Sequence, residues 1–363
     1  MGGLWRDKAA SLMCVGLAAP FLDDRTRILL DAGVSGVLLY QSRLDRPESV
    51  ATLVHAIKAY AGRPVYVAVD HEGAQRSPLQ GGFTRFPVAS RLGATGDIEL
   101  ARSVGQVLGR ELRAVGVDMT LGPVLDVATN PNNPIIGERS LGDTPEIVSK
   151  MGAALVEGQQ SEGVAACGKH FPGHGDTHQD SNLSLPILPH GVRRLEEVEL
   201  KPFQAGISSR MAGMLVGHIL FKELDSKFPS SLSRPIIFGL LRQKLRYRGF
   251  LMIDDVDMGA LSRRFTRKEI AVRGMASGAD SFLCARRPES ALELMDAIDD
   301  GVERGTVLPE RIEAARRRLT SLIHRYVQDP GSAPDLSTVG QVAHVEILQQ
   351  CGGGRPSLNP KPS

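Results

Sequence analysis

Acids, histidines and a lysine recur in this chain just after short apolar runs. Asp70 follows VYVAV, Asp126 lies shortly after VDMTLG, and Lys169 with His170 closes VAACG. His218 closes GMLVG, and Asp254 with Asp255 closes FLMI. A lone acid at such a place often only caps the next helix. A set of carboxylates, histidines and a lysine converging on one cavity can attack carbon, move protons and bind hydroxyl groups. The densest stretch is CGKHFPGHGDTHQDSNLSLP, residues 167–186. His170, His174 and His178 recur there every fourth residue, with Asp176 and Asp180 between and beyond them. On a helix that spacing would hold a metal ion. Pro172, Gly173 and Gly175 exclude the helix. The stretch therefore reads as a glycine-rich loop suited to acid–base chemistry, with no metal site.

The elements that must position these residues are eight apolar runs. They are LMCVGLA (12–18), GVLLY (36–40), VYVAVD (65–70), VDMTLG (117–122), VAACGKH (164–170), GMLVGH (213–218), FLMIDD (250–255) and DSFLCA (280–285). Continuous rather than alternating apolar character marks strands buried on both faces. Amphipathic segments separate them. The clearest spans about 97–114, where Leu100, Val104, Val107, Leu108 and Leu112 share one face. Further helices are predicted after Asp23, Pro47, Pro145, Val192, Ser233, Thr266 and Pro288, and a closing one over 309–327. Eight such units predict a single-domain α/β chain, a (β/α)8 TIM-type barrel over 1–329, with its site at the strands' C-terminal ends. An open doubly wound sheet is the competing architecture, but no glycine-rich nucleotide fingerprint follows any run. Residues 330–363, rich in Gly, Pro and Ser, read as a disordered tail.

Composition narrows the partners. Of 363 residues, 43 are Lys or Arg and 41 Asp or Glu. That balance argues for neither nucleic acid nor a membrane surface as partner. No apolar run is long enough to span a bilayer, and the 9–22 stretch, broken by Gly16 and Pro20, lacks the form of a signal peptide. A cytoplasmic location is expected. Cys14, Cys167 and Cys284 sit far apart in apolar runs and read as buried thiols.

KHFPGHGDT, followed by DS and then LP, resembles the signature loop of glycoside hydrolase family 3, in the subgroup of bacterial β-N-acetylhexosaminidases that act in cell-wall recycling. VDHEG (69–73), PVLDVATNPNNPIIGERSLG (123–142), GHILFKELDSKFPSSLSRPIIFGLLR (217–242) and IDDVDMGAL (253–261) extend the resemblance, in family order, over roughly 10–325. The resemblance implies that Asp254 is the catalytic nucleophile. It implies that Asp70, Arg139, Lys169 and His170 hold sugar hydroxyls. It implies a small carbohydrate as substrate and no cofactor.

The sequence departs from that family pattern at the loop's end. The family has D-S-H there, and the histidine, paired with the aspartate, is the general acid/base. This chain has Asp180-Ser181-Asn182, and an amide cannot shuttle a proton. His178, two residues before Asp180, is the substitute within reach. Ala74 and Pro78 also differ from the usual residues of the pocket wall, as do Ser42 and Arg43 after the second run. The resemblance thus implies a retaining exo-β-N-acetylglucosaminidase acting on peptidoglycan fragments, impaired at proton transfer. A catalytically silent sugar-binding homologue and a glycosidase of shifted specificity are the alternatives.

Overall fold

The computed structural model describes residues 3–40, 44, 46–73, 77–329, 331 and 335–351. Ser42, Arg43 and Ala74 lie outside the described residues. The strands are β1 (Met13–Leu17), β2 (Gly36–Leu39), β3 (Tyr66–Val69), β4 (Met119–Thr120), β5 (Ala165–Phe171), β6 (Ile187–Leu188), β7 (Gly213–Val216), β8 (Leu220–Phe221), β9 (Phe250–Ile253) and β10 (Ser281–Cys284). Eight of them close a parallel barrel in the order β1-β10-β9-β7-β5-β4-β3-β2. The short pair β6 and β8 stands apart from it, parallel through Ile187–Leu220 and Leu188–Phe221. The eight predicted runs are the eight barrel strands. Every residue of those strands is buried, which is why their sequences are continuously apolar.

The helices are α1 (Leu4–Ala10), α2 (Asp24–Asp31), α3 (Pro47–Ala61), α4 (Ala89–Thr95), α5 (Ile98–Ala114), α6 (Pro145–Ser161), α7 (Val192–Glu197), α8 (Leu200–Ser208), α9 (Gly259–Ser262), α10 (Arg267–Ser277), α11 (Ser290–Glu303), α12 (Pro309–Tyr326) and α13 (Val342–Gln349). A π-helical turn over Pro235–Lys244 takes the place of a regular helix between β8 and β9. Local chemistry fixes the starts. Asp23 and Asp97 accept from the amides of Thr26 and Leu100, Thr266 and Glu269 form a capping box, and prolines open α3, α6 and α12.

The barrel interior is filled by Cys14, Leu38, Tyr66, Met119, Cys167, Phe250, Met252 and Leu283 among others. All four cysteines are free and buried. Outside, α5 and α6 approach closely because small residues face each other. A Cβ added to Gly105 would lie 2.5 Å from the Leu155 carbonyl oxygen. This tight pair backs β4 and β5, which carry half of the site. At the barrel's opposite end the buried Lys58–Asp118 ion pair (2.7 Å) joins α3 to the β4 entry. Asp118 also accepts from the amides of Val67 and Gln328, tying in the end of α12.

One expectation is corrected. The stretch read as a disordered tail is ordered over 335–351. It forms a short turn at Leu336–Thr338 and then α13, and Leu348 and Cys351 join the apolar cluster around α5 and α6. Buried Glu111 on α5 explains the docking. Its Oε1 accepts from the Gly340 amide (2.9 Å) and sits 2.8 Å from His344 Nδ1, while Oε2 accepts from the Thr84 amide. Reading by composition weighted the Gly, Pro and Ser residues at both ends of the segment. It missed the short apolar face VAHVEIL between them.

Candidate functional site

The C-terminal ends of the strands carry two linked groups of charge. In the first, Lys169 on β5 is nearly inaccessible (2% exposed) and reaches Asp70 Oδ1 at 2.5 Å and Glu72 Oε1. Glu72 is in turn gripped by Arg139, whose Nε and Nη2 donate to its two oxygens at 2.6 and 2.7 Å. Such a two-point grip fixes both side chains. Burial alone would raise the Glu72 carboxyl. The Lys169 and Arg139 charges outweigh it and hold that carboxyl well below the usual range. Asp70 is the member of the group that remains accessible, with 43% of its side chain exposed. It is the acceptor presented to solvent, and Lys169, itself fixed by Glu72, holds it in place.

In the second group Asp126 organises the loop after β5. Fully buried, it lies 2.7 Å from His170 Nδ1 and accepts from the amides of His170 and His174. Burial would raise Asp126, but His170 and His174 bring it below its ordinary value. His174 is buried between Thr177 and Ser181, which lie 2.7 Å from Nδ1 and 3.0 Å from Nε2. Its imidazole is pushed down to about 4 by burial and by the neighbouring His170. His218, also buried, faces Ser231 and the Asp255 carbonyl. His174 and His218 are therefore neutral struts, and the three loop histidines diverge. His170 goes to Asp126, His174 to Ser181, and exposed His178 accepts from Asn130 Nδ2 at 3.1 Å. Among the described residues no three His, Cys, Asp or Glu side chains surround a common point.

Asp254 follows β9 directly, its amide donating to the Val216 carbonyl of β7. Its half-buried carboxylate accepts from the Asp255 amide at 2.8 Å. Asp255 points elsewhere. It is buried, accepts from the Ala285 amide, and leaves Oδ2 without a hydrogen bond among the described residues. Burial and the Asp257 and Asp254 charges push its carboxyl up to about 7. The loop end docks on this segment, with the amides of Gly259 and Ala260 donating to the carbonyls of Asn182 and Ser181. There Asn182 Nδ2 donates to Asp180 Oδ1 at 2.7 Å, and Arg286 donates to Asn182 Oδ1. Arg286 Nε also lies 3.4 Å from Asp255 Oδ2.

The structure thus joins Asp70, Arg139 and Lys169 in one network, His170 to a second, and Asp180 to Asn182. It does not pair His178 with Asp180. Sequence reasoning missed Glu72, the clamp of the first network, although the motif VDHEG contains it. It also missed Arg286 and the Asp176–His190 pair (2.7 Å), whose partners lie 104 and 14 residues apart.

The sequence profile described as the glycosyl hydrolase family 3 N-terminal domain matches residues 4–322. A beta-hexosaminidase of Thiobacillus denitrificans is 33% identical over 365 residues, covering 98% of this chain and 95% of that one. The solved family 3 β-N-acetylglucosaminidase of Paenibacillus sp. FPU-7 superposes with a TM-score of 0.92 at 36% identity, over 97% of this chain and 68% of the other. NagZ from Neisseria gonorrhoeae, solved in complex with N-trifluoroacetyl-D-glucosamine, gives 0.77 at 29% identity, over 94% and 97%. With its barrel, its strand-end acids and its family profile in agreement, the chain belongs to glycoside hydrolase family 3.

Proposed function

We infer that this chain is a retaining exo-β-N-acetylglucosaminidase that removes terminal N-acetylglucosamine from peptidoglycan fragments in the cytoplasm, using no cofactor. The observation that carries this reading is the state of Asp254. Glu72 is neutralised by Lys169 and Arg139, Asp126 is tied to His170, and Asp255 is buried and raised. Asp70 is accessible but paired with Lys169, which leaves Asp254 as the partly exposed strand-end acid with no ion pair among the described residues. One of its oxygens bonds to the anomeric carbon as the glycosidic C–O bond breaks, giving a glycosyl ester that water then opens with retention. Asp70 accepts from sugar hydroxyls, and His170, Lys169 and Arg139 shape that wall.

The leaving oxygen takes the bonding electrons and needs a proton. By the resemblance of the loop, Asn182 stands in sequence where the family has the histidine that gives it. That residue favours a second reading, a sugar-binding homologue that cleaves only activated substrates or none. Pro78, a departure from the family pattern, favours shifted sugar specificity as a variant of the first. Hydrolysis of an aryl β-N-acetylglucosaminide beside an Asp254→Asn control tests the first reading, and a panel of other aryl glycosides tests the shift. Saturable heat of N-acetylglucosamine binding without any turnover would establish the second.

A further inference from the structure

The near-neutral total charge conceals a strongly basic groove at the barrel's N-terminal face, opposite the sugar site. Arg210, Arg246, Arg248, Arg318 and Arg325 line it, with Tyr247 and Tyr326, and no acidic residue contributes to its wall. It encloses about 400 Å³. Ala212 and Phe250, at the entries of β7 and β9, form part of its floor. Two basic stretches converge here, LRQKLRYR (241–248) and RRRLTSLIHRY (316–326).

Two independent features point to a site short of its counter-charge. Arg318 is paired with Asp280 at 2.9 Å, but among the described residues the side chains of Arg210, Arg246, Arg248 and Arg325 meet no carboxylate. Like charges gathered in a concavity repel one another and concentrate a positive field. Second, Arg210 and Arg246 are the described non-glycine residues with left-handed backbone, at φ 56° and 55°. Each follows the end of a helical segment, where glycine takes that conformation without cost. Arginine at both places spends backbone stability to put a guanidinium in the same groove.

We propose that this groove binds a compact small molecule carrying two or more phosphate groups. Several guanidiniums around one concavity suit the clustered oxygens of an oligophosphate. The groove offers no exposed aromatic face for stacking bases, since Tyr247 and Tyr326 are buried. None of the exposed large apolar side chains of the described residues lies on its wall, so nothing there inserts into a lipid surface.

The test is titration of the full chain with inorganic triphosphate at physiological salt, by calorimetry and thermal shift, against orthophosphate and matched chloride. The double variant Arg210→Gly/Arg246→Gly removes two cations while supplying the residue each backbone position prefers. Saturable one-site binding of triphosphate is expected, with orthophosphate weaker. The variant should melt no lower than the parent without ligand and bind triphosphate at least about tenfold more weakly. Arg248→Gln, which leaves the backbone untouched, should weaken binding as well. No saturable binding, or equal binding by the variants, would overturn the proposal. So would a lower melting point of the ligand-free glycine variant, which would make the arginines structural. Tighter binding of a poly(U) oligonucleotide or of phosphatidylserine vesicles than of triphosphate would overturn it too.

Discussion

Asn182 donates from Nδ2 to Asp180 Oδ1 at 2.7 Å and accepts from Arg286 through Oδ1. The amide is thus held on one side by an anion and on the other by a cation, and it has no proton to give near neutral pH. Asp180 can orient whatever stands at 182. Arg286 can stabilise negative charge there but cannot give up a proton. On the proposed reading, an acid/base histidine at 182 would meet the same two partners.

Asn182→His should restore proton transfer. General acid catalysis supplies about 10²–10⁴ in rate. The variant should gain on that scale in kcat/KM for a disaccharide, whose leaving alkoxide needs protonation, and gain far less on a dinitrophenyl glycoside. Arg286 beside the new imidazole would favour its neutral form. Adding Arg286→Ser should then move the alkaline limb of the pH profile upward. A parent that already cleaves disaccharides well, with no gain in the variant, would place the proton donor elsewhere. His190, paired with Asp176, and His178 would be the next to replace.

Asp254 should be caught in covalent form. An activated aryl substrate loads the carboxylate without needing an acid, and water then opens the ester slowly because no base assists it. Intact mass spectrometry of the parent should show a one-sugar adduct that Asp254→Asn lacks. Azide, which needs no deprotonation, should hasten its release as the glycosyl azide. An adduct mapping to Asp255 would reassign the nucleophile.

The barrel is legible because burial on both faces forces continuous apolar runs, and a polar residue at the end of such a run is conspicuous. Asp70, Lys169, His170 and Asp254 stand out for that reason. Glu72 does not, because it lies three residues past its strand and its role comes from Arg139, 67 residues away. Arg286 is hidden in the same way, as are the arginines of the basic groove, whose field cancels in a sum over the chain. The segment 335–351 escapes composition because it docks on the buried Glu111 carboxylate, more than 200 residues earlier, and on the apolar cluster that Leu348 and Cys351 join. Composition reports what a segment can bury alone, not what another helix offers it.

Truncation after residue 329 should lower the melting temperature by several degrees. It would uncover the surface beneath Leu348 and Cys351 and deprive the Glu111 carboxylate of Gly340 and His344. Lost burial and charge-assisted hydrogen bonds of this kind total about 2–4 kcal/mol. Glu111→Gln in the full chain should give part of the same loss, and in the truncated chain a smaller one. Equal stability of the truncated and full chains would show that α13 is a passenger.

Asp255 should impose a pH dependence on stability opposite in sign to that of an ion-paired carboxylate. Its folded value is about 7 against an ordinary 3.8, raised by burial and by Asp257 and Asp254. Between those values the folded chain holds the proton more tightly than the unfolded chain. Stability therefore falls as pH rises from about 4 to about 7 and is level above, at about 1.4 kcal/mol per unit at most. Glu72, whose carboxyl is held low, works the other way and loses its contribution only as pH falls below the ordinary glutamate range. Asp255→Asn keeps an acceptor for the Ala285 amide and cannot ionise. Urea unfolding across pH 4–8 should show a flatter dependence in the variant, with the stability difference growing up to about pH 7 and level above it. Parallel curves for parent and variant would mean that Asp255 is ionised throughout, and that Arg286, 3.4 Å from its Oδ2, supplies the compensating charge.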